Sequence, residues 1–242
     1  MKDNTMDKSG SAIIKICIFS IIISLTALLF CGLFQYLDRL SSEAWEDTPL
    51  PTIVIDAGHG GEDGGALASD GTKEKDLNLS VALSLSEMLK SGGYEVILTR
   101  DSDVMLYSDE GLGSKKMQDL KKRLDIATSL DNVVFVSIHM NKFSQEKYRG
   151  TQVFYSKNDE TSKQLADMIQ SNIKEFLQKD NDRQTKSVGT NIYLLNKLDC
   201  PAVLVECGFL SNKDECDLLK NEEYRKQLAA LIYCSVIEFL SA

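Results

Sequence analysis

The chain has only two histidines, and each stands where a buried strand would end: His59 just after "IVIDAG" and His139 in "VFVSIH". A third strand-like run, "AVLVE", closes on Glu206, an ionisable group where a purely structural strand would carry another apolar residue. In open α/β sheets the ligand crevice lies beyond the carboxyl ends of the strands, so parallel strands would bring both imidazoles and the carboxylate together there. Two imidazoles with one or two carboxylates suit a catalytic zinc site, which takes three protein ligands and keeps a position open for water. Glu74, in "GTKEKDLNL" at the opening of a helix, is a candidate third ligand, because a helix start beside the crevice can aim a carboxylate inward. A surface glutamate that complements the helix dipole is the competing reading.

The glycines of "IVIDAGHGGEDGG" invite a phosphate-binding reading that the neighbouring residues reject. A P-loop would end in Gly-Lys-Ser/Thr, and a dinucleotide fingerprint starting at Gly58 would need glycine where Asp63 stands. Glu62 and Asp63 would also repel a phosphate. The glycines instead let the loop turn sharply about His59 and leave room for a bulky ligand. Asp56 is placed to be an outer partner of an imidazole, or else a turn cap. Cys207, beside Glu206, is a conceivable nucleophile with His139 as base, but neighbours on a strand face opposite ways, so its thiol should point out of the crevice.

These groups need a sheet to hold them. Strand-like runs fall at 52–57, 94–99, 132–138, 151–155, 190–195 and 202–206, alternating with helical patterns. The first, third and last are continuously apolar, as strands covered on both faces would be. Leu77, Val81, Leu85 and Leu89 repeat every fourth position, and Leu120, Leu124, Ala127 and Leu130 repeat at three and four, so both segments read as amphipathic helices. "SKQLADMIQSNIKEFL" and the closing "YRKQLAALIYCSVIEFL" read the same way. The expected fold class is α/β: a three-layer αβα sandwich around a central, mainly parallel sheet of about six strands, preceded by one N-terminal transmembrane helix.

That helix is the apolar stretch 12–36, which after Lys15 is uncharged for long enough to span a bilayer. A cleaved signal peptide competes, with "SEA" ending at Ala44 as a cleavage site, but signal peptides usually carry a shorter apolar region. Lys2, Lys8 and Lys15 precede the span and only Arg39 closely follows it, which puts the N-terminus in the cytoplasm and the rest outside. The expected organisation is a cytoplasmic tail at 1–11, the anchor at 12–36, an acidic linker at 37–51 and an α/β domain at 52–242. A net charge of −9 argues against a nucleic-acid partner, which would want a basic face. Of the six cysteines, Cys200 and Cys207 flank an extended strand too long to bridge, and no disulfide framework is legible.

Taken together, "IVIDAGHGGEDGGA", "KEKDLNLSVA", "VFVSIHMN" and "PAVLVECGFLSN" resemble the zinc-dependent N-acetylmuramoyl-L-alanine amidases of the Amidase_3 type, in order and over about 52–241. The resemblance implies His59, Glu74 and His139 as ligands of Zn2+ and Glu206 as the catalytic carboxylate. It implies peptidoglycan as substrate: zinc activates a water, and Glu206 passes its proton to the departing amine of L-alanine. "VILTRDSD" and "KKRLDIAT" resemble two further family segments, with Thr128 standing where asparagine is usual. Asn141 is placed to hydrogen-bond substrate or simply to stabilise its loop, and Arg149, Arg183 and Lys186 read mainly as solvated charge, with the peptide's carboxylates as the alternative. No inserted regulatory helix separates His139 from Glu206 and no wall-binding repeat flanks the domain, so delivery falls to the anchor or to an activating or delivering protein partner. Short and anchored, the chain is most similar to the CwlD-type germination-specific amidases of spore formers. That implies stem-peptide removal in the spore cortex toward muramic-δ-lactam, outside the cytoplasm in the forespore intermembrane space. A membrane-anchored peptidoglycan-binding protein without chemistry, or an amidase inactive without its partner, is the alternative.

Overall fold

The fold is known from a computed structural model, described for residues 6–43, 49–107 and 113–242. Two compact units divide the chain, Met1–Pro49 and Leu50–Ala242. The first holds helix α1 (Met6–Glu43), in which Ile18–Leu37 is long and apolar enough to cross a membrane. The expected tail and linker fall partly on residues 1–5 and 44–48, outside the described residues, as does Ala44.

In the second unit, alternation along the strands assigns each side chain to a face. The elements run β1 (Thr52–Ala57), α2 (Glu74–Ser91), β2 (Val96–Leu98), α3 (Lys115–Thr128), β3 (Val133–Asn141), β4 (Gln152–Tyr155), α4 (Ser162–Phe176), β5 (Lys186–Ser187), β6 (Ala202–Phe209), α5 (Lys213–Lys220) and α6 (Glu222–Leu240). They form one six-stranded sheet ordered β2-β1-β3-β6-β4-β5. β2, β1, β3 and β6 are parallel, while β4 runs antiparallel to β6 and carries β5 beside it. On one face Ile53, Ile55, Val134, Val136, Ile138, Val203 and Val205 pack against the apolar stripes of α2, α4 and α6. On the other, Val54, Val133, Phe135, Ala202 and Leu204 meet Ala127 of α3 together with Leu194, Leu195 and Leu198. The second face is covered only in part, and beyond that cover β3 and β6 present His139 and Glu206.

The expected strand at 190–195 does not form; that stretch is a series of turns, and the fifth strand is the short Lys186–Ser187. The apolar run is real, but it is closed by local bonds such as Leu198 N to Leu194 O at 3.1 Å. That curls Leu194, Leu195 and Leu198 onto the sheet as a lid, a job a short apolar run does equally well in either backbone form. β3 and β6 extend three residues past their expected ends, to Asn141 and Phe209, with a register shift between His139 and Asn141.

Candidate metal centre

β1 delivers its chain into the loop that starts at Gly58, and His59 immediately takes a left-handed conformation, φ 63°, the one non-glycine residue with positive φ among the described residues. Such a conformation costs energy in a residue with a side chain and persists only when its surroundings hold it. Here it turns the imidazole so that Nδ1 meets Asp63 Oδ2 at 2.9 Å and Nε2 faces Glu74 Oε1 at 3.3 Å. Asp63 is thus the outer partner of this imidazole, and the expectation that Asp56 would fill that place is corrected. From β3, His139 Nδ1 lies 2.9 Å from the same Glu74 oxygen, with the two rings 5.1 Å apart and edge-on.

Glu74 opens α2, and its carboxylate is held from three sides. Ala66 N donates to Oε2 at 2.7 Å, and Met140 N and Asn78 Nδ2 donate to Oε1 at 3.1 and 3.3 Å. Burial opposes the charged form, but hydrogen bonds and attraction from the two imidazoles hold the carboxyl far below the usual range. Against burial, the same carboxylate raises His139. His59, Glu74 and His139 each offer one ligand atom, all within 4.8 Å of one another. The imidazoles remain 18% and 20% exposed while Glu74 is 5% exposed, so the cluster is closed from below and open above.

The glycines make room for this cluster more directly than for a ligand. A Cβ at Gly58 would stand 2.3 Å from His139 Cε1 and Nε2, and one at Gly65 (φ 68°) would stand 2.5 Å from Glu74 Oε2 and 2.8 Å from His59 Cδ2. If the cluster holds a metal, Gly65→Ala should weaken its affinity by about tenfold or more, since both a contact and a left-handed backbone oppose the methyl group. Competitive zinc titration of the folded variant checks this; wild-type affinity would mean the loop relaxes around the methyl group.

Glu206 is the neighbour of His139 in the parallel pairing of β3 with β6. Its Oε2 is buried without a hydrogen-bond partner among the described residues. Burial pushes its carboxyl up to about 7, the His139 imidazole opposes this and Glu74 adds to it. A cation at the cluster would lower it again by direct attraction. An unpartnered oxygen at such a place is available to a reacting proton. Cys207, by contrast, faces the apolar core and burial pushes its thiol well up, so it is no nucleophile.

Under the loop lies a network that joins Asp56 to the arginines of "VILTRDSD" and "KKRLDIAT", residues to which the sequence reading gave no role in holding the loop. Arg123 of α3 is fully buried and donates from Nη1 to Asp56 Oδ1 (2.7 Å) and Ala57 O (2.8 Å), from Nη2 to His59 O (2.6 Å), and from Nε to Asp119 Oδ2 (2.8 Å). Arg100 donates to the carbonyls of Ala57 and Gly58 at 2.8 and 3.0 Å. Two guanidiniums therefore hold the three carbonyls leading into His59. Their signal was present in α3, where Asp119 and Arg123 lie four apart on the stripe of Leu120, Leu124 and Ala127. Thr128 is exposed and only caps Leu124 O at 3.0 Å. Asn141 bonds through its carbonyl to Leu210 N at 2.8 Å. Arg149 and Lys186 are exposed, Arg149 beside Asp180 at 3.7 Å, whereas Arg183 is partly buried.

A mainly parallel α/β sheet with a His, Glu, His cluster and a free carboxylate at its strand ends has the layout of a single-metal hydrolase. Residues 53–238 match the family Amidase_3, N-acetylmuramoyl-L-alanine amidase, and the chain belongs to it. The germination-specific N-acetylmuramoyl-L-alanine amidase of Bacillus subtilis (strain 168) is 31% identical over 232 residues, covering 92% of this chain and 94% of its own. Among solved structures, the CwlD amidase from Clostridioides difficile in complex with the GerS lipoprotein is 45% identical, with a TM-score of 0.76, covering 79% of this chain and 98% of that one. The catalytic domain of CwlV from Bacillus (Paenibacillus) polymyxa is 32% identical, with a TM-score of 0.65, covering 79% and 98%.

Proposed function

We propose that this amidase hydrolyses the amide between N-acetylmuramic acid and L-alanine in peptidoglycan, with Zn2+ held by His59, Glu74 and His139 and the proton carried by Glu206. The observation that carries the reading is the single cluster of two imidazoles and a carboxylate, glycine-cradled, with an unpartnered buried carboxylate oxygen on the adjoining strand. The donor set fits zinc: nitrogen and oxygen ligands, three in number, with an open side. Zinc bound there supplies Lewis acidity and makes water nucleophilic near neutral pH. Glu206 accepts a proton from the attacking water and returns it to the amine nitrogen as the C–N bond breaks. The peptide thereby leaves as a free amine and the lactyl group as a carboxylic acid, whose remaining proton, the second from the water, passes to the amine or to solvent and leaves a carboxylate. Asp63 fixes the His59 tautomer by accepting from Nδ1, which leaves Nε2 free to ligate.

The cellular setting follows from the relatives. The Bacillus subtilis relative is named germination-specific and the Clostridioides difficile one was solved with a lipoprotein bound, which supports a spore-cortex role toward muramic-δ-lactam and an activating or delivering protein partner. The apolar helix supports a tail at 1–11, a membrane anchor at 12–36, a linker at 37–51 and an extracytoplasmic catalytic domain at 52–242, and the germination-specific relative supports the forespore intermembrane space as its place. The test is incubation of the full chain with peptidoglycan, with and without chelator. Peptides bearing a free L-alanine amine should appear, vanish on chelation and return with zinc; release that survives chelation would sink the metal reading. A silent wild type that wakes on adding a co-expressed lipoprotein would make the partner essential.

A further inference from the structure

On the β4 side of Glu206 the sheet carries a guanidinium in an unusual position. Gln152 of β4 is paired with Glu206 across the antiparallel register, so their side chains share a face about 5 Å apart at Cβ. Arg183 donates from Nη1 to Gln152 Oε1 at 3.0 Å and from Nε to Arg149 O at 2.7 Å. Its Cζ lies 4.4 Å above the ring of Phe209 and 5.9 Å from that of Tyr148. Two hydrogen bonds and an aromatic floor fix the fork. No carboxylate lies within ion-pair distance of it among the described residues. Glu215, the nearest in electrostatic effect, spends its oxygens on Gly150 N and Phe209 N at 2.8 and 2.7 Å.

A fixed, partly buried guanidinium with no ion-pair partner among the described residues is built to receive an anion. In the His59 loop, Glu62 and Asp63 have their own cations, Lys115 at 2.7 Å and Lys116 at 3.4 Å, so neither supplies Arg183 with a partner. The substrate carries its anions on one side: its N-acetylated glycan is neutral, and its stem peptide carries carboxylates. Resting on the amidase reading, we infer that Arg183, seated on Phe209 and held by Gln152, is the peptide-side specificity residue. Its ligand is the free α-carboxylate of the second stem residue, where that residue is a γ-linked glutamate. That carboxylate stands about 7 Å beyond the scissile nitrogen at roughly 3.5 Å per residue, and Arg183 is tied to the neighbourhood of Glu206 through Gln152.

The test uses the zinc-loaded full chain and two soluble substrates, N-acetylmuramoyl-L-alanyl-γ-D-glutamyl-L-lysinamide and its D-isoglutaminyl counterpart, which tie up the γ-carboxyl in an amide and differ only at the α-carboxylate. The wild type should favour the carboxylate by about 10- to 100-fold in kcat/KM, the scale of a charge-assisted bond. Arg183→Gln should bring that ratio near one, and Arg183→Lys, which keeps charge but not the fork, should retain part of it. A wild type indifferent to the amide, or an Arg183→Gln chain that keeps the preference, overturns the inference. Binding of the free tripeptides L-alanyl-γ-D-glutamyl-L-lysinamide and L-alanyl-D-isoglutaminyl-L-lysinamide, followed by NMR, separates the two readings. A carboxylate preference that Arg183→Gln removes, in a chain that hydrolyses neither substrate, would keep the subsite and lose the amidase assignment. Equal binding of both tripeptides by a chain that hydrolyses its substrates would do the reverse.

Discussion

Glu206→Gln should lower kcat about 1000-fold while zinc content and KM stay near wild type. The magnitude lies within the 10²–10⁴ that a positioned acid–base group contributes. The separation of effects comes from the geometry. Glu206 is on β6 and makes no hydrogen bond to the three candidate ligands among the described residues; their contacts are to one another, to Asp63 and to the donors around Glu74. Its Oε2 has no partner, so an isosteric amide disturbs no hydrogen bond at that atom. Glutamine cannot accept the water's proton or return it to the amine, and the leaving group would have to depart as an anion. Cys207→Ala, one residue on but on the core face, should keep the activity, since it removes only a buried sulfur. The opposite pattern, full activity in Glu206→Gln and loss in Cys207→Ala, would exchange the two roles. Zinc loss in Glu206→Gln would instead make the carboxylate a ligand.

The parts of this site that could be read from sequence are those placed by strand ends. His59, His139 and Glu206 each follow an apolar run buried on both faces, and a parallel sheet has one edge at which such ends meet. Glu74 was half legible: a helix beginning beside that edge can aim its first carboxylate inward, but a surface glutamate complementing the helix dipole fits the same residues, and the family resemblance favoured the ligand. The unread parts depend on loop backbone and on contacts distant in sequence. Nothing in "AGHGG" says that the histidine rather than a glycine takes the left-handed turn at position 59, or that Gly58 and Gly65 are needed by His139 and Glu74. The run at 190–195 was misread because apolar residues covering a sheet and apolar residues within one look alike over six positions. Arg183 read mainly as solvated charge beside Arg149 and Lys186, with the peptide's carboxylates as the alternative for all three, and nothing in the sequence set it apart from them. Only the pairing of β4 with β6 puts it near Glu206.

Arg123→Met should destabilise the catalytic unit by about 3–5 kcal/mol, the cost of breaking a buried ion pair from one side. Asp56 and Asp119, 1% and 4% exposed, would be left facing each other around an apolar side chain. In a domain of this size that is roughly a 6–20 °C fall in Tm. Asp56 would keep Ser137 Oγ at 2.6 Å and Thr99 Oγ1 at 2.8 Å, which limits the loss without supplying a charge. The pair also sets an acid limit. Against burial, Arg123 and Ser137 lower Asp56 from its ordinary 3.8 to about 2, so its stabilisation is complete above about pH 4 and drains away as pH falls through 2. In Arg123→Met that acid-dependent loss should be much smaller. A second readout distinguishes positioning from mere stability. Arg123 also holds Ala57 O and His59 O, so the backbone strain at His59 loses its restraint even in molecules that stay folded. Zinc affinity of the folded fraction, measured well below its Tm, should therefore drop about 10- to 100-fold, as loss of an outer support typically does. A chain that is less stable yet binds zinc as tightly as wild type would leave Arg100, through Ala57 O and Gly58 O, as the support that suffices for His59.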